Sequence, residues 1–351
     1  MPQSLKYPIL PRLDIDSGIV EMSHGGGGKA MAALIENLFM RAFDNPILRE
    51  RSDQGQFSVP QAGEFVLATD CHVISPLFFP GGDIGCLAVH GTVNDVVMSG
   101  AQPLYLTAGF ILEEGFPLVN LKRILDSMAE AAKKAGVVII TGDTKVVEKG
   151  HGDGVYITTT GFGVVRDGRK RSPKAIQLGD KILLSGTIGE HGVAVMSYRE
   201  NLRFETEIES DTQSLESLVA TMVDAVPEIR CMRDPTRGGL AALLNEVAQQ
   251  AGVGIDVMEE SIPILPQVQS ACELLGLDPL NVANEGKLVA FCPPEYAERL
   301  LVVMQRHPQG KMAALIGNVT ADRPGFVRMF TRFGGKRNVD WLSGEQLPRI
   351  C

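Results

Sequence analysis

Residues 65–101 read FVLATDCHVISPLFFPGGDIGCLAVHGTVNDVVMSGA, and the change of hydrophobic period inside this stretch decides the fold class. Phe65 to Thr69 is a short apolar run that predicts a strand, with Asp70 at its end. A turn-rich segment from Pro76 to Gly82 follows, and a helix is expected from about Asp83. In that helix Ile84, Leu87, Ala88, Gly91 and Met98 mark an apolar stripe, and Asn94 and Asp95 are expected on the same face. A carboxylate on a buried face needs a partner, so Asp95 is either a functional group or a satisfied core residue or internal cap.

The same strand, turn and helix pattern continues outward. Leu121 to Ala135 predicts a helix with Ile124, Leu125, Met128 and Ala132 inward, ended by Gly136. The strand Val137 to Thr141 then runs into Gly142-Asp143-Thr144-Lys145. A carboxylate and a lysine two residues apart, just beyond a buried strand, can meet a metal and the phosphate it carries, or can form an ordinary turn. Asp70, Asp95 and Asp143, expected at three element ends, suit Mg²⁺ better than zinc, because Mg²⁺ takes oxygen ligands and a few carboxylates with waters and phosphates. Upstream, HGGGGKAM at 24–31 opens into a helical run in which Met31, Leu34, Ile35, Leu38 and Phe39 recur. A glycine loop leading into a helix N-terminus is an anion site in outline, or a hinge. It is no Walker A loop, since Lys29 is followed by Ala30 and Ser23 stands where a glycine is required.

Beyond the strand-like Val155 to Thr160, the basic stretch RDGRKRSPK at 166–174 suggests a solvated interdomain linker. Lys181 to Ser185 opens a second α/β unit, and GTIGEHG at 186–192 turns into a helix. MRDPTRGG at 232–239 places Asp234 and Arg237 on a glycine-ended loop before the helical run Leu240 to Ala248, with Asp234 a further metal or capping carboxylate. Asn284-Glu285-Gly286-Lys287 falls between a helix ending near Leu275 and the strand Leu288 to Phe291.

The chain has 351 residues, enough for two domains, with 44% apolar and 21% charged residues, which excludes a disordered, collagenous or coiled-coil protein. Its 33 basic and 42 acidic residues give a net charge of −9, so no nucleic-acid or anionic-membrane surface is expected. Neither a spanning helix nor a signal peptide is indicated, and a cytoplasmic location is expected. The six cysteines have no Cys-x-x-Cys spacing and predict reduced thiols rather than a disulfide framework or a zinc site.

Together HGGGGKAM, ATDCHVISPLFFPGGDIG, GTVNDVVMSGA, FILEEG, TGDTKVV, RDPTRGG, LGLDPLNVANEGKL and the terminal PRIC resemble the aminoimidazole ribonucleotide synthetase superfamily, which also holds selenophosphate synthetase and thiamine phosphate kinase. The resemblance runs from about Ser23 to Cys351 and is closest to the hydrogenase-maturation members. ANEGKL and the ending PRIC are its most specific pieces, because the related kinases share the aspartate motifs but lack the terminal cysteine.

The resemblance implies an α/β (α+β) two-domain fold. An N-terminal arm (1–22) has no counterpart; an ATP-binding domain at 23–165, dimerising through its sheet, a linker at 166–180, a C-terminal α/β domain at 181–342 and a flexible tail at 343–351 follow. It also implies ATP with Mg²⁺, a homodimer, a carbamoyltransferase partner (HypF) and an iron-carrying HypC–HypD complex. In that scheme a thiocarbamoyl group on Cys351 is dehydrated to a thiocyanate that supplies the cyanide ligand of [NiFe]-hydrogenase. The implied catalytic residues are Cys351, Glu285 and Lys145. Lys29, Gly27, Gly28, Asn94, Asp95, Thr144 and Lys145 are expected around ATP, and Asp70, Asp95, Asp143 and Asp234 around the metal. Glu285 is the base candidate, as a partly desolvated carboxylate accepts a proton more readily. A small-molecule kinase or synthetase would keep the aspartates without needing the tail, and a nucleotide-binding assembly scaffold would need no turnover.

Overall fold

The computed structural model describes residues 11–52, 54–59, 63–200 and 208–340; Cys351 and the terminal PRIC lie outside the described residues. Two sheets organise the chain. The first joins β1 (Glu64–His72), β4 (Gln102–Glu113), β5 (Val138–Val147) and β6 (Val155–Val165) in the order β1-β6-β4-β5, while β2 (Phe78–Phe79) and β3 (Gly82–Asp83) form a small hairpin. Only β4 and β5 run parallel, linked through the helix α5 (Leu118–Lys134), as a parallel pair requires a crossover.

The second sheet contains β7 (Lys181–Leu184), β8 (Cys231–Arg233), β9 (Gly254–Met258), β10 (Val289–Cys292), β11 (Ala314–Thr320), β12 (Val327–Phe330) and β13 (Lys336–Val339). Its order is β13-β12-β9-β11-β7-β10-β8, antiparallel except where β9 meets β12.

Near the N-terminus, α1 (Lys29–Leu34) passes through a π-helical turn at Ile35–Phe39 into α2 (Met40–Ala42) and then α3 (Pro46–Arg49). The central helix is α4 (Ile84–Val97), whose start is fixed by Asp83: its carboxylate accepts from the backbone N–H of Gly85 at 2.7 Å and of Cys86 at 3.0 Å. The second half adds α6 (Glu190–Arg199), α7 (Glu216–Ala225), α8 (Gly239–Ala251), α9 (Pro266–Leu275) and α10 (Pro294–Arg306). The largest apolar core contains Leu87 and Leu121 from the first half together with Leu215, Met222 and Leu300 from the second. The two sheets therefore share a packed junction, and that junction is where α4 meets the segment before α7.

Three local expectations differ from the structure. Asp70 lies inside β1 and Asp143 to Lys145 lie inside β5, because both strands extend further than their apolar runs. Polar residues continue a strand wherever a neighbour supplies the ladder. On α4, Asn94 is buried but Asp95 is exposed. Adjacent helical residues point about 100° apart, so the stripe has room for one of them. Within the basic 166–174 stretch, Arg171 is buried, paired with Asp167 and donating to the carbonyl of Pro227 at 3.3 Å, so this connection is anchored rather than fully solvated.

Candidate active site

A group of carboxylates converges where the two halves meet. Asp70 points to the covered face of β1, beside His72, with its Oδ2 3.7 Å from the imidazole Nε2. Gly91 of α4 lies opposite; a Cβ there would come within 3.3 Å of the Asp70 carboxylate and 3.0 Å of the His72 ring. One turn further along α4 stands Asp95. From the second half, Asp234 follows β8 and Glu285 precedes β10; β8 and β10 are paired neighbours. The Pro235 carbonyl accepts from both the backbone N–H and the Nδ2 of Asn284, at 3.1 and 3.0 Å. Asn284 is fully buried, and its Oδ1 accepts from Gly189 N–H at 2.7 Å.

Burial first, and then mutual proximity, raises the proton affinity of this group. Burial, and then the nearby Asp234 and Asp70, push Asp95 up to about 7, although its outer surface touches solvent. An open edge with dense protein on the other sides accounts for both observations. Burial likewise pushes Asp234 up to about 6. Glu285 is 4% exposed and is raised well above the usual carboxylate range by burial, then by Asp211, Asp234, Asp70 and Asp95. Burial lowers the His72 pKa despite Asp70.

A second group lies elsewhere on the first sheet. The row Asp70, Thr159, Ala108, Gly142 crosses all four strands, and Asp143 sits in the next row, opposite Gly109. Adjacent rows face opposite sides of a sheet, and three strand spacings make about 14 Å, so one protomer does not bring Asp143 to Asp70, Asp95 and Asp234. Asp143 instead pairs with Lys145, its neighbour on the same face, at 2.7 Å. That bond lowers the Asp143 pKa. Beside them an apolar cavity of about 130 Å³ is lined by Met31, Ile35, Phe39, Phe110, Asp143 and Thr144. Thr144 is buried, and its hydroxyl has no hydrogen-bond partner. Gly28 caps the start of α1 and Lys29 is its first residue, while a Cβ on Gly27 or Gly28 would meet nothing within 4 Å.

No three His, Cys, Asp or Glu side chains among the described residues converge closely enough to enclose a metal by themselves. The donor set still suits Mg²⁺, which needs only one or two carboxylates when phosphates and waters complete its shell. Burial, and to a lesser degree the neighbouring carboxylates, raises Asp95 and Asp234, and a bound cation would favour their charged forms. Sequence reading missed Asp211, Glu190 and His72. Asp211 sits in no motif and reaches Glu285 only through the fold, whereas His72, two residues after Asp70, was legible as a same-face neighbour once a strand was granted.

A carboxylate-rich junction between two such sheets defines a class, and the comparisons agree. Residues 51–165 match the model "AIR synthase related protein, N-terminal domain" and residues 177–329 its C-terminal domain. The chain belongs to the AIR synthase related family. Within it, the chain is 64% identical over 342 residues to "Carbamoyl dehydratase HypE" of Azotobacter vinelandii, covering 97% of this chain and 100% of that protein. A solved structure of HypE in complex with ATP superposes with a TM-score of 0.90 at 47% identity, over 94% of this chain and 99% of that one. A HypE–HypF complex gives 0.78 at 50% identity, over 88% and 100%. The chain is thus a member of the HypE family, the hydrogenase-maturation branch. Among the described residues no helix is long and apolar enough to cross a membrane.

Proposed function

We propose that this protein is an ATP-dependent carbamoyl dehydratase that converts a thiocarbamoyl group on Cys351 into a thiocyanate. The observation that carries the reading is Glu285: an enclosed carboxylate with raised proton affinity, among the acidic side chains of the junction between the two sheets. The relatives named carbamoyl dehydratase and the relative solved with ATP support it.

The reaction needs a poor leaving group turned into a good one. In R–S–C(=O)–NH₂ the carbonyl oxygen attacks the γ-phosphorus of ATP and ADP leaves. Loss of that oxygen as phosphate, with removal of both N–H protons, leaves R–S–C≡N. Glu285 takes up one N–H proton, and the departing phosphate carries off the other. Lys29 and Lys145, which the first sheet separates from Asp70 within one chain, would offset charge on the transferred phosphoryl group from a second copy of the chain. Asp70, Asp95 and Asp234 would hold Mg²⁺, which when bound neutralises the polyphosphate and orients it in line. The apolar cavity beside Thr144 suits the flat, apolar faces of a purine base.

A homodimer formed through the first sheet fits the same scheme. The open face of β1 carries Phe65 at 57% and Leu67 at 71% exposure, next to the rings of Phe57, Tyr105 and Phe162. An apolar sheet face of that kind calls for a partner, and a second copy on it would also cover Asp143 and Lys145. HypF is proposed to load Cys351 and a HypC–HypD complex to receive the cyano group, in the cytoplasm; the five described cysteines are all free thiols.

Mass spectrometry of the C-terminal peptide, after incubation with HypF, carbamoyl donor and ATP, tests the reading. A carbamoyl adduct on Cys351 that becomes a cyano adduct only with ATP is expected. Cys351→Ala should leave folding and nucleotide binding intact and abolish both adducts; cyanide delivery by the Ala variant would refute the carrier role.

A further inference from the structure

We propose that Asp211 is the positioning residue of Glu285, with Lys287 as its counter-charge, and that together they set where the base stands and the pH at which it is ready. The inference rests on the assignment of Glu285 as the base.

The geometry is a two-pronged clamp. Asp211, 2% exposed in its side chain, accepts from the backbone N–H of Glu285 through Oδ1 at 3.1 Å and from that of Gly286 through Oδ2 at 3.2 Å. Two bonds from one carboxylate to successive amides fix the peptide between them, and with it the direction in which the Glu285 side chain leaves the backbone. Gly286 is demanded by the close approach, since a Cβ there would lie 1.9 Å from the Asp211 carbonyl oxygen.

The opposite edge of the segment is held as well. Asn94 Nδ2 donates to the carbonyls of Gln213 at 3.0 Å and Glu285 at 3.3 Å, and Asn94 Oδ1 accepts from Leu215 N–H at 2.8 Å. Gln213 Nε2 donates to the Gly286 carbonyl at 3.0 Å. Asn94 therefore ties α4, the 211–215 segment and the base loop into one unit.

A second layer sets a counter-charge beside the clamp. The Lys287 ammonium sits 3.5 Å from Asp211 and 3.4 Å from Glu190, all three side chains being at most 10% exposed. Thr187 donates its hydroxyl to Glu190. Charged groups around Glu285 thus come from every packed element: Asp211 and Lys287 from the clamp, Glu190 behind them, Asp234 after β8, Asp70 on β1 and Asp95 on α4, with Arg233 beside Asp234 and Asp95 and Arg237 beside Asp95 and His72. After burial itself, Asp211 is the carboxylate with the largest effect on Glu285. Its negative charge favours the protonated form of Glu285, and the Lys287 ammonium beside it offsets part of that charge.

The test is the titration of Glu285 in the nucleotide-free protein, followed by ¹³C NMR of labelled glutamate and assigned with Glu285→Gln. Asp211→Asn should move the Glu285 inflection to lower pH by about one unit. Lys287→Gln should move it to higher pH, and Lys287→Arg should restore it. In turnover, Asp211→Asn should shift the acid limb of the pH–rate profile downward and lower the plateau at least tenfold. A loss of rate equal at every pH, with an unmoved Glu285 inflection, would reduce Asp211 to a structural residue and overturn the proposal. Should Asp211→Asn fail to fold by circular dichroism, the sign of the Lys287→Gln shift decides alone. If the unaltered protein forms no thiocyanate, the dehydratase reading falls, while the titration shifts still decide the clamp.

Discussion

The two groups of site residues are built in opposite ways. Around Glu285 the protein supplies everything: enclosed side chains, two backbone bonds to Asp211 and a counter-charge from Lys287. Around Lys29, Asp143 and Lys145 it supplies little beyond one ion pair, with both partners about two-thirds exposed in their side chains, and a glycine loop with empty space above it. A base must be preorganised before its substrate arrives, because misplacing a proton acceptor by an ångström costs orders of magnitude in rate. A phosphate-binding loop gains its order from the ligand. On the proposed function, the enclosed pole sets the chemistry and the open pole takes its organisation from the nucleotide.

The most drastic way to break this contrast is Glu285→Gln. The amide fills the same space and keeps both backbone bonds to Asp211, so only the proton-accepting function is removed. Binding of ATP and carbamoyl loading of the tail should persist, while thiocyanate formation should fall by about 10²-fold or more. A cyanated tail appearing at the parental rate would place the base elsewhere. The folded state should also tolerate the change. A carboxyl whose pKa is raised on folding favours the native state only below its unfolded value and becomes a burden as pH climbs toward its folded one. Glu285→Gln is therefore expected to be at least as heat-stable as the parent at pH 8.

How much of this was legible in the sequence follows the same division. The order of strands and helices, the Asp83 cap region and the loop carrying Glu285 can be read locally, because period and turn residues report on neighbours in the chain. Asp211 cannot. It is a lone aspartate, and it acquires a role only when β10 pairs with β7 and β8 and carries residues 285 and 286 beneath it. The separation of Asp70 from Asp143 was hidden for the same reason: both follow apolar runs, but sheet order puts them on opposite edges and opposite faces. The placement of Asp95 was ambiguous by one residue, which on a helix is a quarter turn.

A smaller effect, and a sharper one, is expected from Asp95→Asn. Its carboxyl is raised from 3.8 to about 7, so in the metal-free protein it costs stability as pH rises from about 4 to 7 and the full cost is present above that window. Below it, both folded and unfolded chains are protonated and the substitution is neutral. Without metal, Asp95→Asn should melt slightly higher than the parent at pH 8, since solvent at its open side screens much of the cost, and equally at pH 4. With Mg-ATP the order should reverse, because ligand binding stabilises the parent and the variant has lost a ligand for the ion. Calorimetry should show Mg-ATP affinity reduced about tenfold. Unchanged affinity would remove Asp95 from the metal site, and an unchanged melting difference between the two pH values would contradict the crowding of the carboxylates.

The smallest effect on the fold belongs to the open pole, at Gly28. Its φ of −98° is accessible to any residue, and a Cβ there would touch nothing within 4 Å. Alanine is a poorer helix N-cap than glycine, but it also restricts the unfolded chain, and the two contributions nearly cancel to within about 0.5 kcal/mol. Gly28→Ala should therefore leave the urea midpoint almost unmoved. Space that is empty in the free protein is nonetheless where a triphosphate would pass if the loop closes on it, and backbone amides approach phosphate oxygens closely only where no side chain intervenes. Calorimetry should then show weaker ATP binding with the stability retained, an effect confined to the liganded state. Were Gly28→Ala to bind ATP with parental affinity, the glycine run would be a hinge rather than a phosphate cradle, and the open pole would be reduced to the Asp143–Lys145 pair and the cavity beside Thr144.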